Sequence, residues 1–449
     1  LKKVLDFPYS NILVLGLAKS GTAVANLLLN HDKGVRINDM KTEKNDPIIK
    51  ELRNLGAEVV VGSHPLSVLD GIEIIVKNPG IHYDNPIIVE ARKRNIPVIT
   101  EVEIAYMLAG DSIIGITGSN GKTTTTTLIT KMLEESRRPV KVAGNIGVVA
   151  CEVAENLEDE ETLVLELSSF QLQGVEKFKP NIAVLLNIFE AHIDYHKTFD
   201  NYKQAKFNIF RNQTKEDFLV YNADDTIITS EVKNLKSTLV PFSIKNKMEN
   251  GAWLDDTFIY FKNEKIISRN EIVLVGDHNL ENILAAVAAA KLKGATNEGI
   301  IKVLTTFQGV RHRLQFVDNI HGRLFYNDSK ATNILATQKA LSSFERPVIL
   351  LAGGLDRGNE FDDLAPYLKN VKAMVVFGQT KDKLRRIAEE NGISTILQVE
   401  DVKEAVSKAF EISNEKDVIL LSPACASWDQ YRTFEERGDM FIQAVHKLV

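Results

Sequence analysis

An apolar run from Ile113 to Ile116 leads directly into Thr117-Gly118-Ser119-Asn120-Gly121-Lys122-Thr123-Thr124, and a helix-forming stretch follows. A strand, a glycine turn and a helix N-terminus in that order make up a phosphate-binding loop in an α/β sheet. Gly118 and Gly121 let the backbone turn so that its N–H groups face phosphate oxygens. The helix N-terminus adds positive potential, Lys122 balances charge, and Thr123 offers a hydroxyl to Mg²⁺. The implied ligand is a nucleoside triphosphate. The spacing is a shortened G-x-x-G-K-T, because Ile116 stands where the longer common form has its first glycine. A turn without a ligand would leave the preceding strand and the Lys-Thr placement unexplained.

With 449 residues, 44% hydrophobic and 25% charged, the chain has room for three domains of ~150 residues, and three cores are expected. A net charge of −6 leaves no basic face for nucleic acid. Cys151 and Cys425 stand far apart and form no C-x-x-C, so neither a zinc cluster nor a disulfide framework is expected. No apolar run approaches ~18 residues. Ile12 to Leu17 is too short, and too closely followed by Lys19 and Ser20, to be a signal core. A cytoplasmic protein that does not enter a membrane is expected.

Residues 1–103 alternate strands (Asn11 to Leu15, Val35 to Asn38, Val59 to Val61, Ile72 to Val76, Val98 to Thr100) with amphipathic helices, a doubly wound, Rossmann-like pattern. The first turn, Gly16-Leu17-Ala18-Lys19-Ser20-Gly21, leads to a helix expected from about Thr22, and Asp39 ends the second strand. Only Gly16 and Gly21 fit the G-x-G-x-x-G frame, since Ala18 holds the middle place. Two readings stay open: a site for the phosphate of some nucleotide, or glycines that only permit a tight turn and close helix packing.

Residues 104–310 carry the phosphate loop and then strands that end in polar residues: Leu163 to Leu165 before Glu166, and Ile182 to Leu186 before Asn187. Open α/β sheets bind ligands at such ends. Glu166 is placed like the acidic residue that meets Mg²⁺ in phosphate-loop enzymes, with a solvated strand-end carboxylate as the alternative. His192 lies just beyond the next strand, and the residues alone do not assign it a role. Glu190, Asp194 and His196 read as solvated loop residues, and Lys206 as a solvated lysine on a helix.

These spacings together resemble the Mur ligases of peptidoglycan synthesis, over essentially the whole chain. The resemblance rests on the phosphate loop, Gly144-Asn145-Ile146-Gly147, Glu166-Leu167-Ser168-Ser169-Phe170-Gln171-Leu172, and Gly276-Asp277-His278-Asn279-Leu280-Glu281-Asn282. It continues through Arg311-His312-Arg313, Asn327-Asp328-Ser329-Lys330-Ala331-Thr332-Asn333, and Leu421-Ser422-Pro423-Ala424-Cys425-Ala426-Ser427. It implies an ATP-dependent amide ligase of three domains. A Rossmann-like domain (1–103) would bind the UDP of UDP-N-acetylmuramoyl-L-alanine, a central P-loop mononucleotide domain (104–310) ATP, and a dinucleotide-fold-like domain (311–449) D-glutamate. The third segment agrees, with strands at Leu324 to Tyr326, Val348 to Leu351, Ala373 to Phe377 and Val418 to Leu421.

Residue by residue, the resemblance implies that Gly118 to Thr124 cradle ATP, with Lys122 and Thr123 on phosphates and metal. Glu166 and His192 would hold Mg²⁺, together with Lys206 carbamylated by CO₂. Asn145 would lie near the acyl phosphate, and Asn282 at the adenine. Arg313, Asp328 and Lys330 would meet the ribose and phosphates. Gly16, Leu17, Ala18 and Asp39 would face the UDP-sugar. Thr332, Arg357, Ser427 and Phe434 would face D-glutamate. A monomer is expected. Three other classes compete. A sibling ligase would differ around Ser427, a nicotinamide oxidoreductase leaves the phosphate loop unexplained, and a GTPase switch needs an Asn-Lys-x-Asp that is absent.

Overall fold

The computed structural model describes residues 6–145 and 147–448. Three sheets follow one another along the chain. The first comprises β1 (Asn11–Leu15), β2 (Gly34–Asp39), β3 (Glu58–Val61), β4 (Ile74–Lys77) and β5 (Val98–Ile99), all parallel, in the order β3-β2-β1-β4-β5. β1 and β4 are buried nearly throughout, as strands covered by helices on both faces must be. The order reverses between β1 and β4, so the crevice of this sheet opens where Leu15 and Lys77 end their strands.

The central sheet contains β6 (Ile113–Thr117), β7 (Val140–Gly144), β8 (Thr162–Glu166), β9 (Ile182–Leu185), β10 (Phe218–Asn222), β11 (Thr238–Ser243), β12 (Ala252–Leu254), β13 (Phe258–Phe261) and β14 (Glu264–Ser268). Its order is β14-β13-β12-β11-β10-β9-β6-β8-β7, and β12 to β14 form an antiparallel extension. β6 lies between β8 and β9, so the phosphate loop, Glu166 and the segment leading to His192 all leave the same edge.

The third sheet contains β15 (Gln315–Ile320), β16 (Arg323–Asn327), β17 (Val348–Gly353), β18 (Val371–Phe377), β19 (Thr395–Gln398) and β20 (Val418–Leu421). Its order is β15-β16-β20-β17-β18-β19, parallel except for β15. It belongs to a compact unit of its own, residues 271–280 with 304 onward, with apolar clusters on both faces of the sheet.

Three separate cores were expected, but the first two sheets share one. A continuous cluster runs from Ile12, Val14 and Leu28 through Val102, Ala105 and Leu108 of the helix Glu101–Ala109 to Ala150, Cys151 and Leu165. Some boundaries also move. The helix after the first turn starts at Lys19, with Ala18 as its cap, not near Thr22. β4 starts at Ile74, because Ile72 closes a turn onto the Leu69 carbonyl. Thr100 leaves its strand because its hydroxyl donates to the Gln171 carbonyl at 2.8 Å and its N–H to that of Gly174.

Glu101, the first residue of that shared helix, is buried and accepts from Cys151 N and Gln171 Nε2, each at 3.2 Å. Burial pushes its carboxyl up to about 7, against the pull of those two donors. The native state therefore favours the protonated form. Its contribution to stability is complete below the ordinary carboxyl range and is lost as pH rises toward 7, a loss on the order of 3 kcal/mol. Glu101→Gln should flatten the decline in melting temperature between pH 4.5 and 7. Wild-type and variant curves that stay parallel across that window would contradict this account.

Candidate functional site

The turn after β6 has the sharpness its glycines allow. Gly121 has φ +85° and caps the helix Lys122–Glu135, and a Cβ there would run into the Asn282 side chain. Asn187 clamps the turn from the end of β9. Its Oδ1 accepts from Asn120 N at 2.9 Å, and its Nδ2 donates to Asn120 O at 3.2 Å. Ser119 Oγ lies 2.8 Å from Tyr202 Oη and accepts from Phe189 N at 3.0 Å. Asn282 is buried, with its Oδ1 3.3 Å from Thr125 Oγ1. It thus lies against Gly121 and Thr125, at the start of the phosphate-loop helix.

Lys122 Nζ donates to the Gly118 carbonyl at 2.8 Å and to that of Ser119 at 3.2 Å. Lys206, on the helix Phe199–Phe207, donates to the same Gly118 carbonyl at 2.8 Å and lies 3.3 Å from Thr117 Oγ1. It is 2% exposed, so the solvated-lysine alternative fails. Burial above all, and then the neighbouring Lys122 charge, pulls its ammonium well below the ordinary lysine value, while Glu166 acts the other way.

Glu166 ends β8 and is buried, so it is not a solvated carboxylate either. Its Oε1 accepts from Asn145 Nδ2 at 2.9 Å, and its Oε2 is buried without a protein partner. Asn145 reaches it because Gly144 has φ +109° and a Cβ at Gly144 would overlap the Glu166 carbonyl. Ile146 of the same string lies outside the described residues. His192 is exposed, with φ 55° and its ring 5.0 Å from that of Phe170. Partial desolvation, and then the charges of Lys206 and Lys122, lower its pKa.

His196 overturns its expected solvated role. It is buried, stacked on Phe170 at 5.4 Å, with Nε2 2.9 Å from Ser169 Oγ. Burial first, then His192 and Lys206, push its pKa down to about 4. Glu190 and Asp194 are exposed, as expected. In the first sheet, Gly16 has φ +95° and a Cβ on Gly21 would overlap its carbonyl, so the tight turn and close helix packing are both present. Asp39 is committed to backbone: Leu17 N at 2.8 Å, with Lys41 N and Thr42 N each at 2.7 Å. Burial opposes its charge, but those donors hold its carboxyl below the usual range.

In the unit built on the third sheet, Asp328 is buried just beyond the end of β16. It accepts from Leu314 N and Ser422 Oγ, each at 3.0 Å. Burial pushes its carboxyl up to about 7, against Leu314, Ser422 and Arg313. Lys330 Nζ sits 4.9 Å over the Phe434 ring, Thr332 is half-buried, and Ser427 is buried with a hydroxyl that meets no protein partner. Arg313 and Arg357 are exposed, the latter 4.8 Å over Trp428. Sequence reasoning did not single out Arg437. It is fully buried and donates to the carbonyls of Ser329, Gly353 and Cys425 at 2.9, 3.3 and 3.0 Å, tying three site loops together. Nothing in the spacing marks it.

Fold and site define an α/β enzyme built on a shortened phosphate loop. The N-terminal Mur ligase MurD-like domain matches residues 10–100, the Mur ligase middle domain 116–290, and the Mur ligase glutamate ligase domain 312–425. The UDP-N-acetylmuramoylalanine–D-glutamate ligase of Oceanobacillus iheyensis is 61% identical over 443 residues, covering 99% of each chain, and that of Geobacillus kaustophilus is 58% identical over all of both. Among solved structures, the MurF ligase of Thermotoga maritima in complex with ADP shares the fold (TM-score 0.58, 18% identity, 100% of this chain and 98% of that one). So does MurC from the same organism (0.57, 20%, 98% and 100%). The chain belongs to the Mur ligase family.

Gly121→Ala tests the loop. The added methyl must displace Asn282 and strain a left-handed backbone. Calorimetric titration with a non-hydrolysable ATP analogue and Mg²⁺ should show affinity at least ten-fold weaker with native circular dichroism. Unchanged affinity would contradict the role assigned to the turn.

Proposed function

We propose that this chain joins D-glutamate to UDP-N-acetylmuramoyl-L-alanine at the expense of ATP, in peptidoglycan precursor synthesis, as a cytoplasmic monomer. The 61% identity over nearly the whole chain to a ligase named for these substrates carries the substrate assignment. Among the described residues no helix is long and apolar enough to cross a membrane. Domains 1–103, 104–310 and 311–449 take the UDP-sugar, ATP and the amino acid.

A carboxylate is a poor electrophile, so the terminal L-alanine carboxylate attacks the γ-phosphorus and ADP leaves. The amine of D-glutamate then attacks the acyl carbon, a proton departs, and the tetrahedral intermediate expels phosphate to leave the amide. Lys122 is placed to offset phosphoryl charge, and the amides of Gly118 to Thr124 to position it. The family pattern adds Arg313, Asp328 and Lys330 on the nucleotide side, and Asn145 beside the acyl phosphate. For D-glutamate, the unpartnered Ser427 hydroxyl suits a carboxylate, with Phe434, Thr332 and Arg357 near it. Water must be kept from the acyl phosphate throughout.

The donor set suits Mg²⁺. Glu166 Oε2 awaits a partner, the His192 ring has a lowered pKa, and Thr123 contributes a hydroxyl. When bound, Mg²⁺ neutralises charge on the phosphoryl oxygens. Among the described residues no three His, Cys, Asp or Glu side chains gather to hold a metal. A carbamate on Lys206 supplies the missing anion. The neutral amine that burial favours bonds to the carbon of CO₂ and releases a proton, so a cation crowded against Lys122 becomes a carboxylate beside Glu166. In ¹³C-bicarbonate the active enzyme should give a carbamate resonance that Lys206→Arg lacks, with most turnover lost in that variant. Full activity of Lys206→Arg would refute the modification.

The deciding assay is phosphate release from ATP, which should require both UDP-N-acetylmuramoyl-L-alanine and D-glutamate. Three groups of the amino acid, two carboxylates and the amine, must be placed at once, so L-glutamate should be inert. Equal turnover with L-glutamate, or better turnover with lysine or meso-diaminopimelate, would move the chain to a sibling activity.

A further inference from the structure

Lys77 is the last residue of β4 and only 1% exposed. No ion pair among the described residues involves it. Its ammonium is instead surrounded by oxygen dipoles: the carbonyls of Ile81 at 3.0 Å, Pro79 at 3.1 Å and Asn78 at 3.3 Å, and Tyr195 Oη at 3.2 Å. The Tyr83 ring face lies 4.7 Å from Nζ. Burial draws its pKa down to about 7, and these contacts work to retain the proton. A buried cation without a carboxylate is costly, and leucine or methionine would fill the space more cheaply. Its position suggests what offsets the cost.

Lys77 pairs with Leu15 across the β1–β4 junction, where the strand order reverses and a doubly wound sheet receives its ligand. By collecting three carbonyls it curls residues 78–81 back over that junction. Asn78 Nδ2 then donates to Ser20 Oγ at 2.9 Å, and Ile81 and Asn78 close against Gly16, where a Cβ would come within 2.8 and 3.0 Å of them. The wall of the crevice facing the first turn is therefore built by Lys77. Tyr195 Oη, 3.0 Å from both Pro79 O and Ile81 O, joins the same loop to the segment that begins at His192.

We propose that Lys77 is a positioning residue for the nucleotide diphosphate end of the acceptor: its side-chain nitrogen, by gathering the carbonyls of Asn78, Pro79 and Ile81, shapes the 78–81 loop that walls the crevice between β1 and β4. This rests on the reading that the first domain binds a UDP-sugar. Lys77→Met keeps length and apolar bulk but removes the charge and all three donors. Lys77→Arg keeps the charge. Tyr195→Phe loosens the loop while leaving the lysine in place, and serves if Lys77→Met fails to fold.

The measurement is calorimetric titration of each full-length variant with UDP alone and with the whole acceptor, alongside steady-state KM values for acceptor, ATP and D-glutamate. Lys77→Met should weaken UDP and acceptor at least ten-fold and raise the acceptor KM in step, while the KM values for ATP and D-glutamate stay within two-fold. Lys77→Arg should recover part of the loss, and Tyr195→Phe should weaken the acceptor about three-fold without changing the ATP KM. Acceptor affinity unchanged in folded Lys77→Met, or unchanged in Tyr195→Phe where Lys77→Met does not fold, overturns the proposal. So does an equal rise in all three KM values, which would mark a merely structural residue. Wild-type protein that binds neither UDP nor acceptor would overturn the underlying reading instead.

Discussion

Two lysine side chains from different elements end on the single carbonyl of Gly118, and much of the central site follows from that crowding. Two ammonium groups this close repel, and one of them, Lys206, is fully desolvated as well. The arrangement is tolerable if Lys206 surrenders its proton or if negative charge arrives. Triphosphate brings such charge, and a carbamate at Lys206 would bring more. The buried, unpartnered Glu166 oxygen beside it has the opposite need, for a cation. Two ammonium groups on one carbonyl favour an anion, and the buried Glu166 Oε2 favours a cation, and electrostatic preorganisation of this kind suits phosphoryl transfer.

The three sheets place their candidate groups by one rule: charged and polar side chains are carried where parallel strands end. Lys77, Glu166, Asn327 and Asp328 all sit at or just beyond such ends. The strands are buried on both faces, so their backbone direction is rigidly held, and the loops that leave them inherit that precision. Glycines with positive φ act where a Cβ would collide: Gly16 against Ile81, Gly121 against Asn282, and Gly144 against the Glu166 carbonyl. Each collision marks a pair of loops that must touch for the site to exist.

Strand positions and the phosphate loop were legible because each is written in consecutive residues: an apolar run, a Gly-Lys-Thr turn, a polar strand end. Errors arose where distant segments decide the outcome. Thr100 belongs to an apolar run but is drawn out of its sheet by carbonyls over 70 residues later. His196 sits in a polar stretch yet is buried, because Phe170, Tyr195 and Tyr202 assemble around it from three elements. The shared core was missed for the same reason, since the contact of the helix Glu101–Ala109 with Ala150 and Cys151 has no local signature.

Buried charge shows the same limit from another side. A lysine in a sequence reads as solvated, and composition alone supports that for Lys77 and Lys206 equally. An arginine on an amphipathic helix such as Phe434–Val445 reads as exposed, yet Arg437 is fully buried. None of the three has a carboxylate partner within ion-pair distance among the described residues; each is held by backbone carbonyls and by hydroxyl or phenol oxygens. Carbonyl dipoles solvate a cation without neutralising it, so the charge still acts on a ligand nearby. A carboxylate in the same place would give similar stability and cancel that field. At Arg437 neutral oxygens satisfy the donors and leave the charge in place, whereas at Lys206 the same kind of burial favours the neutral amine, so one mode of holding a cation leads to two different protonation states.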